Sequence, residues 1–313
     1  MSCIIVESLS KSYGSVKAVD KIDLSIDSGQ VFGFLGPNGA GKSTVIKLLT
    51  TAIQPSNGKI SILGIDAIKN PLEIRKRIGV VLQQPSYEPT LSVEKSLEKY
   101  GMMWDVDKKN RKKRTKELLD AFDLNEIKNK KNEDLSIGQR RRVQVAREFM
   151  HDMDLLFLDE PTVGLDPAAR RKLLDFLKNK VKTGLTIFFT THVLTEAEYL
   201  CDNIAIINKG KIMAIDSPEQ LQTSLGHQKT VKIHILHVHN ELEQILSEIK
   251  NCKIEFNSGT NITINSSDSE SVLLEVLKIL NENHIPIEDL SAMPTSLEEI
   301  FLKILEDSDA SNS

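Results

Sequence analysis

The chain lacks three things that would each have fixed a function class. Its three cysteines, Cys3, Cys201 and Cys252, are scattered with no ligand spacing, which suits a reduced cytosolic protein. No apolar run approaches the roughly 20 residues that a membrane span needs, so any membrane role has to be borrowed from a partner. The formal net charge is only -4, which implies no global attraction to nucleic acid. Met1-Ser2-Cys3-Ile4-Ile5-Val6 runs straight into a strand-like segment, so no secretion signal is expected. There is no internal repeat and no low-complexity linker. The 313 residues are 40% hydrophobic and 27% charged, the profile of a soluble globular protein with two domains.

The most informative stretch is Val31 to Thr44, VFGFLGPNGAGKST. A short apolar run reads as a buried parallel strand, and Thr44 to Leu49 has the apolar spacing of a helix. Between them Gly36, Pro37, Asn38, Gly39, Ala40, Gly41, Lys42 and Ser43 fit G-x-x-x-x-G-K-[ST]. Strand, glycine-rich loop and helix together make a phosphate cradle rather than an ordinary turn. The loop turns backbone N–H groups inward, the helix start adds partial positive charge, and Lys42 adds a full one. Ser43 presents a hydroxyl where a phosphate-bound Mg²⁺ would sit.

A second apolar strand, Leu155 to Leu158, delivers Asp159 and Glu160 to its carboxyl end. In a doubly wound sheet that is the edge where ligands bind. Asp159 there suits Mg²⁺, and Glu160 suits orienting or deprotonating a water that attacks a phosphate.

The rest organises around these two strands. Gly29-Gln30 and Asn57-Gly58 mark turns between strands in the first 70 residues. From Pro71 to Met150 the character is helical and charged. A helix from Pro167 to about Val181 lies between Leu155–Leu158 and a buried strand at Thr186–Thr190, a βαβ pattern that implies a parallel sheet. Ile204 to Ile207 and Lys211 to Ile215 form a hairpin about Asn208-Lys209-Gly210. Ser217-Pro218-Glu219 opens a short helix expected to close this first domain at about residue 224. Beyond it, strands at Val231–Leu236, Ile254–Phe256, Ile262–Ile264 and Ile285–Leu290 alternate with helices at Glu241–Lys250, Ser269–Glu282 and Leu297–Leu305. These predict a small α+β domain over 225–306 and a frayed, disordered tail over 307–313.

Leu135-Ser136-Ile137-Gly138-Gln139 opens a strongly basic helix, Arg140 to Arg147. Ser136 is a natural N-cap, and the helix start leaves N–H groups open to an anion. A second phosphate-seeking helix end beside one cradle suggests a site completed by another copy.

Taken in order, these segments resemble the ATP-binding cassette of ABC transporters over roughly Ile4 to Ser224. The phosphate loop Gly36 to Thr44 is followed by Gln83, the signature Leu135 to Gln139, the carboxylate strand, a Gly164-Leu165-Asp166 loop, and His192 after an apolar strand. The resemblance implies a P-loop NTPase α/β fold: a RecA-like core, an antiparallel β-subdomain and a helical subdomain at about 85–150. It implies two cassettes dimerising head to tail on ATP and Mg²⁺. Each ATP would lie between one phosphate loop and the Ser136, Gly138 and Gln139 of the other copy. Glu160 would be the base, His192 would contact the γ-phosphate, and Asp166 would couple the two sites. Gln83, chosen over adjacent Gln84 because Ile78 to Leu82 leads into it as a strand, would sense Mg²⁺ and water with Ser43 and Asp159. Tyr13, in Lys11-Ser-Tyr-Gly, would stack on adenine. One departure stands out: Ile137 replaces the first of two glycines usual in the signature.

The closing segment Met293-Pro-Thr-Ser-Leu-Glu-Glu-Ile-Phe-Leu302 resembles that of daunorubicin-resistance-type ATPase subunits. That branch implies a separate ABC-2-type membrane permease, a peripheral place on the cytoplasmic side of the membrane, and membrane contact only through the permease. The rival reading is a soluble ABC ATPase acting on ribosomes or DNA; those usually carry two cassettes or a long coiled-coil insertion, and nucleic-acid binding is not expected here. The basic run Lys108 to Arg114 reads as a solvated helix face. His237 and His239 share one face of an extended strand and His234 the other, too few ligands for a metal.

Overall fold

A computed structural model describes residues 2–84, 86–224, 229–237, 242–247, 249, 252–257, 260–266, 269–293 and 296–310. The chain divides into two compact units, Met1–Asp216 and Ser217–Ser313.

The first unit is built on a six-stranded sheet in the order Lys211–Asp216, Asn203–Asn208, Val31–Leu35, Thr186–Thr191, Leu155–Asp159, Ile78–Val81. The last five run parallel, and Lys211–Asp216 returns antiparallel from the hairpin. Val31–Leu35, Leu155–Asp159 and Thr186–Thr191 are buried at every residue. Both faces of a parallel sheet are covered, so such strands are continuous apolar runs with no polar alternation. Four phenylalanines knit the three together: the Phe188 ring lies 6.0, 5.4 and 5.6 Å from those of Phe32, Phe34 and Phe157. Each ring removed from water contributes about 1.5–3 kcal/mol.

A separate antiparallel sheet runs Val16–Asp27, Ser2–Tyr13, Asn57–Ile62, Ile65–Asp66. Its alternation buries Ile4, Val6, Ile60 and Ile62 against the same core. The helical segment contributes Val93–Met103, Lys108–Ala121 and Ile137–Glu148. Ser92 and Asp107 cap the first two by accepting from backbone N–H groups. The exposed lysines at 108, 109, 112, 113 and 116 form one polar face of Lys108–Ala121, opposite buried Thr115, Leu118 and Leu119.

In the second unit an antiparallel sheet runs Cys252–Asn257, Asn261–Ser266, Lys229–Ile235, Ile287–Met293. Val231, Ile233 and Ile235 face a core with Leu242 and Leu246 of Leu242–Ser247 and Val272, Val276 and Leu280 of Ser269–Glu282, while Lys232 between them is exposed, as period-two alternation requires.

Several boundaries differ from the sequence reading. The cradle helix begins at Lys42 and spans Lys42–Leu49, because the Gly41 carbonyl accepts its first bond, from Val45 N–H at 3.0 Å. The helix Pro218–Ser224 belongs to the second compact unit and does not close the first. A helix Leu194–Leu200 was not anticipated; seven residues are too few to show a period. The last helix runs Leu297–Ala310, four residues into the expected tail, since helix hydrogen bonds are local and need no apolar partner; 311–313 lie outside the described residues. The strand carrying His234 stops at Ile235, so alternation does not reach His237, and His239 lies outside the described residues. His234 instead pairs with Asn261 and Glu288 at 2.7 and 3.1 Å.

Candidate functional site

The loop Gly36 to Gly41 joins the central strand Val31–Leu35 to the helix Lys42–Leu49 at the carboxyl edge of the sheet. Asn38 and Gly39 are exposed at its tip, Ala40 is buried, and Thr44 is half-buried in the first helical turn. Gly41 has φ of +109°, and a Cβ there would come 2.5 Å from the Ala18 carbonyl oxygen. Only glycine permits both that backbone and that approach. The Lys42 ammonium donates to the carbonyls of Gly36 (2.7 Å) and Pro37 (3.1 Å). Burial pulls its pKa below the ordinary lysine value, while Glu160 and Asp159 oppose the shift.

Around this lysine the chain assembles a polar cluster from four elements. Ser43 Oγ donates to Asp159 Oδ2 at 2.9 Å, and Thr190 Oγ1 donates to the other carboxylate oxygen at 2.6 Å. Asp159 is thereby fixed on both oxygens at the end of a buried strand. Glu160 Oε1 lies 3.3 Å from His192 Nδ1 and 4.0 Å from Lys42 Nζ, and Oε2 accepts from the Gln83 amide at 3.1 Å. Six residues named from the sequence therefore meet here: Lys42, Ser43, Gln83, Asp159, Glu160 and His192.

Glu160 has φ of +49°, a left-handed conformation that costs a non-glycine residue on the order of 1–3 kcal/mol. Arg141 holds it there. Its Nη2 donates to the carbonyls of Asp159 (2.6 Å) and Glu160 (2.8 Å), and Nε to that of Pro161 (3.1 Å). Nη1 reaches the Leu82 carbonyl at 2.7 Å, beside Gln83. Burial lowers the Arg141 pKa to about 10 against the pull of Asp159 and Glu160, which leaves it charged at neutral pH. Sequence reasoning missed this residue because Arg141 read only as one arginine of a strongly basic helix. Its neighbours diverge from it: Arg140 meets the Tyr87 hydroxyl at 2.9 Å, and Arg142 the Phe122 carbonyl at 2.9 Å. The usable signal was helical spacing, since Gln144 and Val145, three and four residues on, are buried on the same face. Thr190 was likewise missed as a partner of Asp159, hidden inside an apolar strand.

The remaining predicted residues stand outside this cluster. Ser136 and Gln139 form a reciprocal capping box: Ser136 Oγ accepts from Gln139 N–H, and Gln139 Oε1 accepts from Ser136 N–H. Gly138 packs so closely on the Gly164-Leu165-Asp166 loop that a Cβ would sit 2.5 Å from the Gly164 carbonyl oxygen. Ile137 is 66% exposed beside it. Asp166 caps the helix Pro167–Val181 by accepting from Ala169 N–H, and that bond holds its pKa below the usual carboxylate value. Tyr13 is half exposed at the end of its strand, with the Lys11 ammonium 5.3 Å from its ring centre.

A parallel sheet with a glycine-rich loop, a lysine and paired carboxylates at its carboxyl edge defines a P-loop nucleotide hydrolase fold. Residues 19–163 match the family model described as ABC transporter, and residues 132–195 match a model described as AAA domain, putative AbiEii toxin, Type IV TA system. The chain is 34% identical over 297 residues to the daunorubicin/doxorubicin resistance ATP-binding protein DrrA of Streptomyces peucetius, covering 95% of this chain and 90% of that one. It is 33% identical over 304 residues to the linearmycin resistance ATP-binding protein LnrL of Bacillus subtilis, covering 95% and 96%. Among solved structures, an ATP-binding subunit of an ABC transporter superposes with a TM-score of 0.67 at 28% identity, over 72% of this chain and 93% of that one. A dimeric ATP-binding cassette in a post-hydrolysis state bound to ADP and Pi gives 0.64 at 26% identity, over 68% and 98%. The chain belongs to the ATP-binding subunits of ABC transporters, a family of ATPases.

Proposed function

We propose that this chain is the ATP-hydrolysing subunit of an exporter, closing head to tail with a second copy on Mg²⁺ and ATP and driving transport through a separate ABC-2-type permease. The observation that carries this reading is the convergence of Lys42, Ser43, Gln83, Asp159, Glu160 and His192 at one sheet edge. The phosphate tail of ATP lies on the loop Gly36 to Thr44 and takes the Lys42 ammonium in exchange for its present carbonyl partners. Glu160 accepts the proton of the attacking water as the water oxygen bonds the γ-phosphorus and the bond to ADP breaks. His192 hydrogen-bonds the γ-phosphate, and the Gln83 amide orients the water. Ser43, Asp159 and the Gln83 amide oxygen offer a hydroxyl, a carboxylate and a carbonyl, an all-oxygen set that fits Mg²⁺. When bound, that ion supplies charge neutralisation of the phosphates.

The second copy contributes Ser136, Gly138 and Gln139. The Ser136 hydroxyl accepts one bond from the cap and keeps its proton for a phosphate oxygen. Tyr13 stacks on adenine, and Asp166 couples the two sites. Relatives named for resistance to daunorubicin and linearmycin support a drug or other hydrophobic, lipid-like cargo. No helix of the described residues is long and apolar enough to cross a membrane; relatives named as resistance ATP-binding proteins support a peripheral place on the cytoplasmic face, reached through the permease.

Replacing Glu160 with Gln tests this reading directly. Hydrolysis is expected to fall by at least about a hundredfold, and light scattering should show an ATP-dependent dimer that persists. Normal turnover in that variant overturns the assignment of the base. Recovery of the tagged protein with ribosomes and never with a membrane protein overturns the transport reading.

A further inference from the structure

Glu196 is 98% removed from solvent, with a relative exposure of 2%, and nothing above assigns it a task. One of its oxygens, Oε2, accepts from the hydroxyls of both Thr162 and Thr191, each at 2.9 Å. Thr162 lies two residues after Glu160; Thr191 immediately precedes His192. The Thr191 hydroxyl also accepts from the backbone N–H of Val193 at 3.0 Å, so the backbone on both sides of His192 is tied to one oxygen. The other carboxylate oxygen, Oε1, sits 3.2 Å from Arg170 Nε in the helix that Asp166 caps. Neither of those two atoms makes an aligned hydrogen bond. A buried carboxylate is expensive without partners; here its partners are three segments that each end in a proposed site residue.

We propose that Glu196 is a positioning residue that sets the distance between the Glu160 turn and the His192 loop, and links both to the helix that follows Asp166. The inference rests on the reading of Glu160 and His192 as the hydrolytic pair. Through the two threonine hydroxyls the carboxylate holds His192 Nδ1 and Glu160 Oε1 at their 3.3 Å separation. It touches neither reacting group, so it acts on geometry alone.

Thr162→Val and Thr191→Val each remove one hydroxyl from Glu196 while leaving the charge and the Arg170 pair. Each is expected to lower kcat on the order of tenfold, with KM for ATP unchanged within about twofold. The double variant should fall short of the product of the singles, because both act through one oxygen. Glu196→Gln should lower kcat in the same way in the wild-type background and have no further effect on single-turnover hydrolysis in a His192→Ala background. A rise in KM matching the fall in kcat, or an additive loss on His192→Ala, overturns the proposal alone. Should Glu196→Gln fail to fold, the threonine pair carries the same decision. Full turnover in His192→Ala by itself sinks the reading of His192, and the inference with it.

Discussion

Lys42, Asp159 and Glu160 are buried and interlocked, whereas Ser136 and Asp166 stand exposed at helix starts and are satisfied by their own backbone. The first group is pre-assembled by tertiary contacts that also draw in Gln83, Thr190 and His192. The second is held locally, by capping bonds that would form in an isolated helix. Arg141 is the bridge between them, since it grows from the signature helix and ends on the carbonyls of Asp159, Glu160 and Pro161. The contrast teaches that one half of the proposed site is a rigid core feature. The other half is an exposed surface held by local caps, the face on which the proposed second copy would close.

The bridge offers the largest expected effect. Arg141→Met withdraws the guanidinium from the carbonyls of Leu82, Asp159, Glu160 and Pro161, and should destabilise the first unit by about 3–5 kcal/mol in denaturant unfolding. Arg141→Lys should recover little, because an ammonium cannot span consecutive carbonyls as the planar fork does. Near wild-type stability in both variants would mean that the left-handed turn at Glu160 holds itself.

Ser136→Ala separates the two halves at smaller cost. Loss of the cap should remove about 1 kcal/mol of stability. Binding of a fluorescent ATP analogue to the monomer should be unchanged, while ATP-dependent dimerisation is lost. Equal damage to monomer binding would erase the distinction between the halves.

The smallest effect concerns the far end of the signature helix. Glu148 accepts from the Tyr100 hydroxyl on both oxygens and from Val80 N–H, joining that helix to the strand before Gln83. Burial raises its pKa, with Arg147 opposing. A carboxyl raised in the folded state contributes stability that is fully present below the ordinary carboxylate pKa and is lost as pH rises through the folded value. Glu148→Gln should therefore flatten the change in melting temperature between pH 4 and pH 8. An unchanged slope would show that Glu148 titrates as it does when unfolded.

Legibility followed the range of the interaction. The phosphate loop, the carboxylate strand and the helix Pro167–Val181 were readable because each is a local pattern: a turn chemistry, an apolar run, a period of 3.6. Asp159 and Glu160 were readable for the same reason, as charges at the end of a run that otherwise excludes them. Arg141, Thr190 and Glu196 carried no such mark. An arginine among arginines, a threonine inside a strand and a glutamate in a seven-residue helix become distinctive only when partners such as Asp159 for the first two and Thr162 for the third arrive from 18, 31 and 34 residues away.

By itself, the sequence determined that this chain belongs to the ATP-binding cassettes of ABC transporters and where its phosphate loop and carboxylate strand lie. Those properties reside in motifs whose chemistry is complete within a few residues. Only the tertiary structure decided how Glu160 is held in a strained backbone, how Lys42 rests on its own loop, and which buried carboxylate ties the Glu160 turn to His192. Such pairings depend on which elements meet across the sheet edge, and burial there makes each unpaired polar atom costly enough to choose a partner.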